Sequence, residues 1–202
     1  AGTSFLVTFF KNLGITLTQG DVAKPNSIFE CILDIIGIAI VPAICEEFAM
    51  RCCALGLLKN YGKAFGVVSV SVVFGLLHGN VIQFIFAFLV GLVLAYITIK
   101  TESIIPAMCI HALNNGMSAV SDTVNYAAGK EVNITVGFFA FWLLVGIIAT
   151  IYLAIKHKLT IPKDDGNCVL TLGEKVSSFF FPGMILPFIV LIIMTAQTVK
   201  IG

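Results

Sequence analysis

Charge is what this sequence has least of. Only 11% of its 202 residues are Asp, Glu, Lys or Arg, while 58% are hydrophobic. A soluble globular domain is about a quarter charged. So few charges cannot coat a water-soluble particle of this size, and a mean hydropathy of +1.03 agrees with a membrane protein. The formal net charge of +1 excludes the strongly basic field that nucleic-acid binding uses. Arginine is scarce beside lysine. The six cysteines, Cys31, Cys45, Cys52, Cys53, Cys109 and Cys168, form no CxxC pair. Neither a disulfide framework nor a Cys-rich zinc site has the spacing to support it, and these side chains read as small buried apolar residues. No sustained alternation suggests a membrane β-barrel. There is no internal repeat and no soluble domain. The chain begins at Ala1 without the basic, apolar and small-residue regions of a signal peptide. A missing natural start, with spans upstream of it, is expected.

What the sequence has in quantity is long apolar runs. A hydrocarbon core of about 30 Å takes roughly 20 helical residues. Charges and turn residues cut the chain into six candidate spans: Ser27 to about Leu58, about Ala64 to His78, Val81 to Ile99, Ile104 to Val120, Ile134 to Ile155, and Phe179 to Val199. The first is long for one crossing and contains Pro42, which predicts a kink or a break. Residues 1–20 are apolar apart from Lys11 and read as an interfacial helix or the end of a preceding span. The expected fold class is all-α, a polytopic transmembrane helix bundle of about six spans. Lys59, Lys63, Lys100, Lys156, Lys158, Lys163 and Lys175 fall on one side of this arrangement, against Lys24, Lys130 and Lys200 on the other. The first side is therefore expected to be cytoplasmic, and the protein a multi-pass component of the cell membrane whose first partner is the lipid bilayer.

Charged residues inside a span are costly, so each one is a functional hypothesis. Here they cluster in three motifs. The first span carries Glu46-Glu47-x-x-x-Arg51, the second ends Phe74-x-x-x-His78, and the fourth contains His111-x-x-x-Asn115. Glu47 and Arg51 have the favourable i, i+4 order for a helical ion pair. Glu46 lies about 100° further round an α-helix and need not share that partner, which makes it the candidate general base. Phe74 sits one turn before His78, where its ring can back the imidazole. His111 and Asn115, also i and i+4, point one way, and two donors aimed at one spot suit an oxyanion. At about 1.5 Å per residue, Glu46 lies roughly 20 Å from Lys59, His78 about 22 Å from Lys63, and His111 and Asn115 about 13 and 20 Å from Glu102. Three helices thus deliver polar groups to similar depths. Single motifs of this kind also serve as structural glue. Glu46, His78 and His111 offer a histidine-and-carboxylate set that makes zinc a possible cofactor, although HExxH is absent. A non-enzymatic immunity or transport protein is the reading from another class. Ser69 and Ser71 read as helix-packing residues, and Glu30 and Asp34 as solvated carboxylates near a span end.

The order EExxxR, FxxxH, HxxxN on successive apolar segments resembles the CAAX prenyl endopeptidase and bacteriocin-processing family, also called the Abi family. The segment Gly91-Leu92-Val93-Leu94-Ala95-Tyr96, with Lys100-Thr101 and Ser103 after it, is similar to what precedes the family's last motif. The resemblance implies a helical intramembrane endopeptidase of glutamate type, with no metal cofactor. Glu46 and His78 would activate a water, His111 and Asn115 would stabilise the oxyanion, and Glu47 and Arg51 would support the site. It also implies a peptide or lipidated-peptide substrate, either CAAX-type or of the kind met in bacteriocin maturation and self-immunity. The expected protease core covers about residues 27–121, and residues 122–202 would add two further spans and a cytoplasmic loop.

Overall fold

The computed structural model describes residues 24–129, 171–177 and 182–201, together with 11–12, 15–17, 144, 148, 151–152, 155–156 and 160. The described residues are helical apart from one short antiparallel pair. Helix α1 runs Ile28–Tyr61, α2 Lys63–Leu76, α3 Val81–Thr101, α4 Ile105–Ala128, α5 Leu172–Ser177 and α6 Pro182–Ala196. Strand β1, Ile15–Leu17, pairs with β2, Val199–Ile201. An interfacial helix or the end of a preceding span was expected for residues 1–20, and the last expected span ended at Val199, where β2 begins. The β-branched residues of both triplets favour the extended form, and each strand gives the other's backbone its partner.

Two helices among the described residues are long and apolar enough to cross a membrane: α1, with 34 residues, and α3, with 21. Helix α2 is apolar but has 14 residues, α4 is longer than expected at 24, and α6 has 15. The expected span from Ile134 to Ile155 lies outside the described residues except for single positions. Along α1, Ile28, Ile32, Ile36, Ile40 and Ile44, every fourth residue, are all exposed. A water-soluble protein would bury such a stripe, whereas a bilayer solvates it. The same reasoning corrects the expectation for the cysteines. Cys31 is buried, but Cys45, Cys52, Cys53 and Cys109 are exposed, and on an apolar membrane helix such a side chain needs no protein cover. Cys168 lies outside the described residues.

The chain divides into two compact units, and the division falls within α1 between Glu47 and Phe48. In the first unit, α4 packs along the Ile28–Glu47 part of α1. Ser27 caps this helix through the amide of Glu30, whose carboxylate accepts from Asn26 N at 2.7 Å. This reach back to the amide just before the cap explains the exposed acid at a span end. The buried residues of the Ile28–Glu47 part of α1 are Cys31, Ala39, Ala43 and Glu47, spaced by multiples of four, and those of α4 include Ala107, His111 and Ala119, again multiples of four. Alanines let the two backbones approach, and each stripe carries polar residues into the interface.

Within α1, Ile35–Ile40 and Phe48–Ala54 are π-helical, with an α-helical turn pair Val41–Glu47 between them. Pro42 is the local cause of the first irregularity. It has no N–H to give the carbonyl one α-turn earlier, and the wider turn is already set when Val41 N donates to Ile36 O. The expected kink at Pro42 is thus met by wide turns within a continuous helix.

In the second unit, α2 and α3 form an antiparallel hairpin. Gly79 ends α2 in the left-handed conformation (φ +66°), which only glycine adopts without strain. Asn80 then caps α3, accepting from Gln83 N at 2.8 Å. A Cβ on Gly75 would lie 2.9 Å from the carbonyl oxygen of Phe84, so this glycine sets the hairpin's closest approach. Gly75→Val is expected to cost about 1–3 kcal/mol through overpacking, read as a lower Tm of the detergent-purified protein; an unchanged Tm would mean that the helices part freely here. Ser69 and Ser71 are buried, and their hydroxyls donate to the carbonyls of Phe65 and Val67, both at 2.6 Å. They are packing residues with their polar groups satisfied inside their own helix.

Candidate active site

In the first unit, the structure brings together Glu46, Glu47, His111 and Asn115. Glu47 is fully buried, and its Oε1 lies 2.8 Å from His111 Nδ1. A carboxylate accepts, so Nδ1 donates and carries the ring proton. The other nitrogen, Nε2, is then an acceptor, and it lies 3.2 Å from Asn115 Nδ2. Asn115 Nδ2 also donates to Ile38 O at 3.2 Å. This carbonyl is the one that Pro42, four residues on, cannot serve. Asn114 Nδ2 donates to Asn115 Oδ1 at 3.2 Å, which fixes the amide with its nitrogen toward His111. The result is one directed chain, Asn114 to Asn115 to His111 to Glu47, in which each donor meets an acceptor.

Glu46 stands differently. Its Oε2 is 3.8 Å from His111 Nε2, beyond hydrogen-bond length, and 42% of its side chain is accessible against none of Glu47. Among the described residues it accepts no hydrogen bond. Adjacent carboxylates on one helix therefore have opposite surroundings. One holds an imidazole, and the other is accessible and accepts no hydrogen bond among the described residues.

In the second unit, Arg51, Phe74 and His78 form their own cluster. Arg51, the only arginine in the chain, is buried. Its guanidinium carbon sits 4.5 Å from the centroid of the Phe74 ring, a cation–π contact. Arg51 Nη2 lies 3.5 Å from Gly91 O. The Phe74 and His78 rings meet edge to face, with centroids 5.2 Å apart and planes at 81°. Phe74 thus backs the imidazole as its spacing predicts, and also takes the guanidinium on its face. His78 lies just beyond the end of α2, and its Nδ1 is 2.9 Å from Phe74 O. A carbonyl only accepts, so this nitrogen donates and Nε2 keeps a lone pair.

Three parts of this arrangement went unseen in the sequence reading. The Ile38 carbonyl and Asn114 both orient Asn115; a proline four residues after Ile38 was the available signal for the first. The Arg51–Phe74 contact joins residues on different helices, and no spacing announces it. From Phe48 to Ala54 the helix is π, so Arg51 lies in a wider turn than the α-helical spacing assumes.

Residues 28–117 match the family model of type II CAAX prenyl endopeptidase Rce1-like proteins, a range that includes all three motifs. Over this segment, a little under half of its length, the chain is similar to the Rce1-like family. The family is one of membrane-embedded CAAX-type proteases. No curated protein and no solved structure matches the chain.

Among the described residues, no three His, Cys, Asp or Glu side chains are grouped as a metal centre would require. The expected set of Glu46, His78 and His111 is divided between the two units.

Proposed function

We propose that the protein is an intramembrane endopeptidase of glutamate type, hydrolysing a peptide bond of a prenylated, membrane-associated peptide without a covalent intermediate. The observation that carries this reading is the contrast between Glu46 and Glu47 around His111. A buried carboxylate orients the imidazole, and an accessible one with open lone pairs stands beside it.

In this mechanism, Glu46 takes a proton from a water as its oxygen attacks the scissile carbonyl. Negative charge then develops on the carbonyl oxygen. Asn115 is the neutral donor for that charge, turning one N–H from His111 to the oxyanion. His111 donates from Nε2 only when that nitrogen is also protonated, so the tautomer set by Glu47 gives Asn115 the leading part. The proton taken from water passes to the leaving amine, which completes hydrolysis. Arg51 and Phe74 hold the imidazole of His78. The multi-pass arrangement in the cell membrane belongs to the same proposal, since water must reach groups within the spans.

The test uses purified full chain in detergent, with bound metal measured on the same sample. A farnesylated CAAX peptide, the same peptide without its prenyl group and a leader-type peptide are offered in parallel. Cleavage of the farnesylated peptide without stoichiometric zinc is the expected result. Stoichiometric zinc whose removal abolishes cleavage would replace this mechanism with a metalloprotease. Cleavage of the leader peptide alone would keep the enzyme class and change the substrate.

A further inference from the structure

The second unit contains a pocket of about 740 Å³ whose lining includes Arg51, Lys59, Lys63, Thr98, Glu102 and Ser103. Three cations face one carboxylate there. Arg51 and Thr98 are buried, while Lys59 and Glu102 are exposed, so charge runs from the floor to the mouth. The 14-residue helix α2 also begins on this wall. Its N-cap is Gly62, with φ 125° and ψ 128° and no side-chain cap. No L-residue adopts that backbone without strain, so no Ser or Asp can cap the helix from this position. A helix N-terminus favours negative charge, and here lysines at 59 and 63 flank it. Leu57 and Tyr61, on the same stretch of α1, are exposed apolar side chains.

We infer that this pocket binds a phosphate group, with the headgroup of an anionic phospholipid as its natural source. The cations and the helix terminus meet the phosphate oxygens. Leu57 and Tyr61, exposed on the stretch of α1 that also carries Lys59, suit an acyl chain better than they suit water. Glu102 opposes the ligand and narrows selection to groups with enough negative charge to outweigh it. The inference does not depend on the protease reading.

The experiment follows thermal unfolding of the full chain in detergent, for wild type and Lys59→Gln/Lys63→Gln. Inorganic phosphate is compared with chloride at equal ionic strength, and phosphatidylglycerol with phosphatidylcholine. Both lysines lie at the pocket mouth and outside the proposed catalytic groups, so the double variant is expected to match wild type in Tm without ligand. Phosphate and phosphatidylglycerol should each raise the wild-type Tm, with phosphatidylglycerol displacing phosphate. The double variant should need about tenfold more of either ligand, or still more, for the same shift. Protection by phosphate that phosphatidylglycerol does not share would place the source in a soluble phosphate compound. Absence of protection by both, equal protection of the double variant, or protection only by a peptide with a free C-terminal carboxylate would each overturn the assignment.

Discussion

Glu46→Gln is expected to abolish peptide cleavage while leaving the protein folded. Glutamine keeps the size of the side chain and removes its ability to take a proton. Because Glu46 accepts no hydrogen bond from another described residue and is 42% accessible, little structure rests on its charge. Loss of a general base typically lowers the rate by about 10²–10⁴-fold, and the fall should appear in kcat rather than in KM. Single-turnover cleavage of the farnesylated peptide, beside a melting curve, separates the outcomes. A variant that cleaves as well as wild type would remove Glu46 from the mechanism. A variant that fails to fold would show that the charge is structural after all.

Glu47→Ala should do the opposite in the melting curve. Its carboxylate is fully buried and holds His111 Nδ1 at 2.8 Å. Truncation leaves a buried donor without its acceptor and opens a cavity in the α1–α4 interface. Removing one partner of a buried ion pair costs roughly 3–5 kcal/mol, and the lower figure applies if the imidazole is neutral, since a neutral donor is cheaper to strand. The ring would also lose what sets its tautomer and its rotation, so cleavage should fall as well. Glu47→Gln provides the control. Its amide oxygen can still accept from Nδ1, so stability should recover in large part and activity in some measure. If Glu47→Ala melted and cleaved like wild type, Glu47 would not be the residue that positions His111. Together the two glutamates predict a dissociation: one substitution removes turnover at constant Tm, and its neighbour removes stability first.

Much of this was legible before any coordinates. Long apolar runs and low charge pointed to apolar helices, and the expected starts at Ser27, about Ala64, Val81 and Ile104 lie within a residue of those observed at Ile28, Lys63, Val81 and Ile105. The i, i+4 spacing placed Phe74 against His78, and His111 beside Asn115, because such neighbours share a helix face whatever surrounds the helix. The distinction between Glu46 and Glu47 followed from the same periodicity.

The tertiary structure decided everything that depends on a second helix. Which nitrogen of His111 carries the proton follows from Glu47, 64 positions earlier. The orientation of Asn115 follows from a carbonyl that a proline released on α1, and the guanidinium of Arg51 rests on a ring of α2. The pairing of Ile15–Leu17 with Val199–Ile201 joins the ends of the chain. Local spacing decides which residues share a face, because backbone geometry repeats along a helix. It does not decide what that face meets, because that depends on how separate helices pack and on which backbone groups are left to be satisfied.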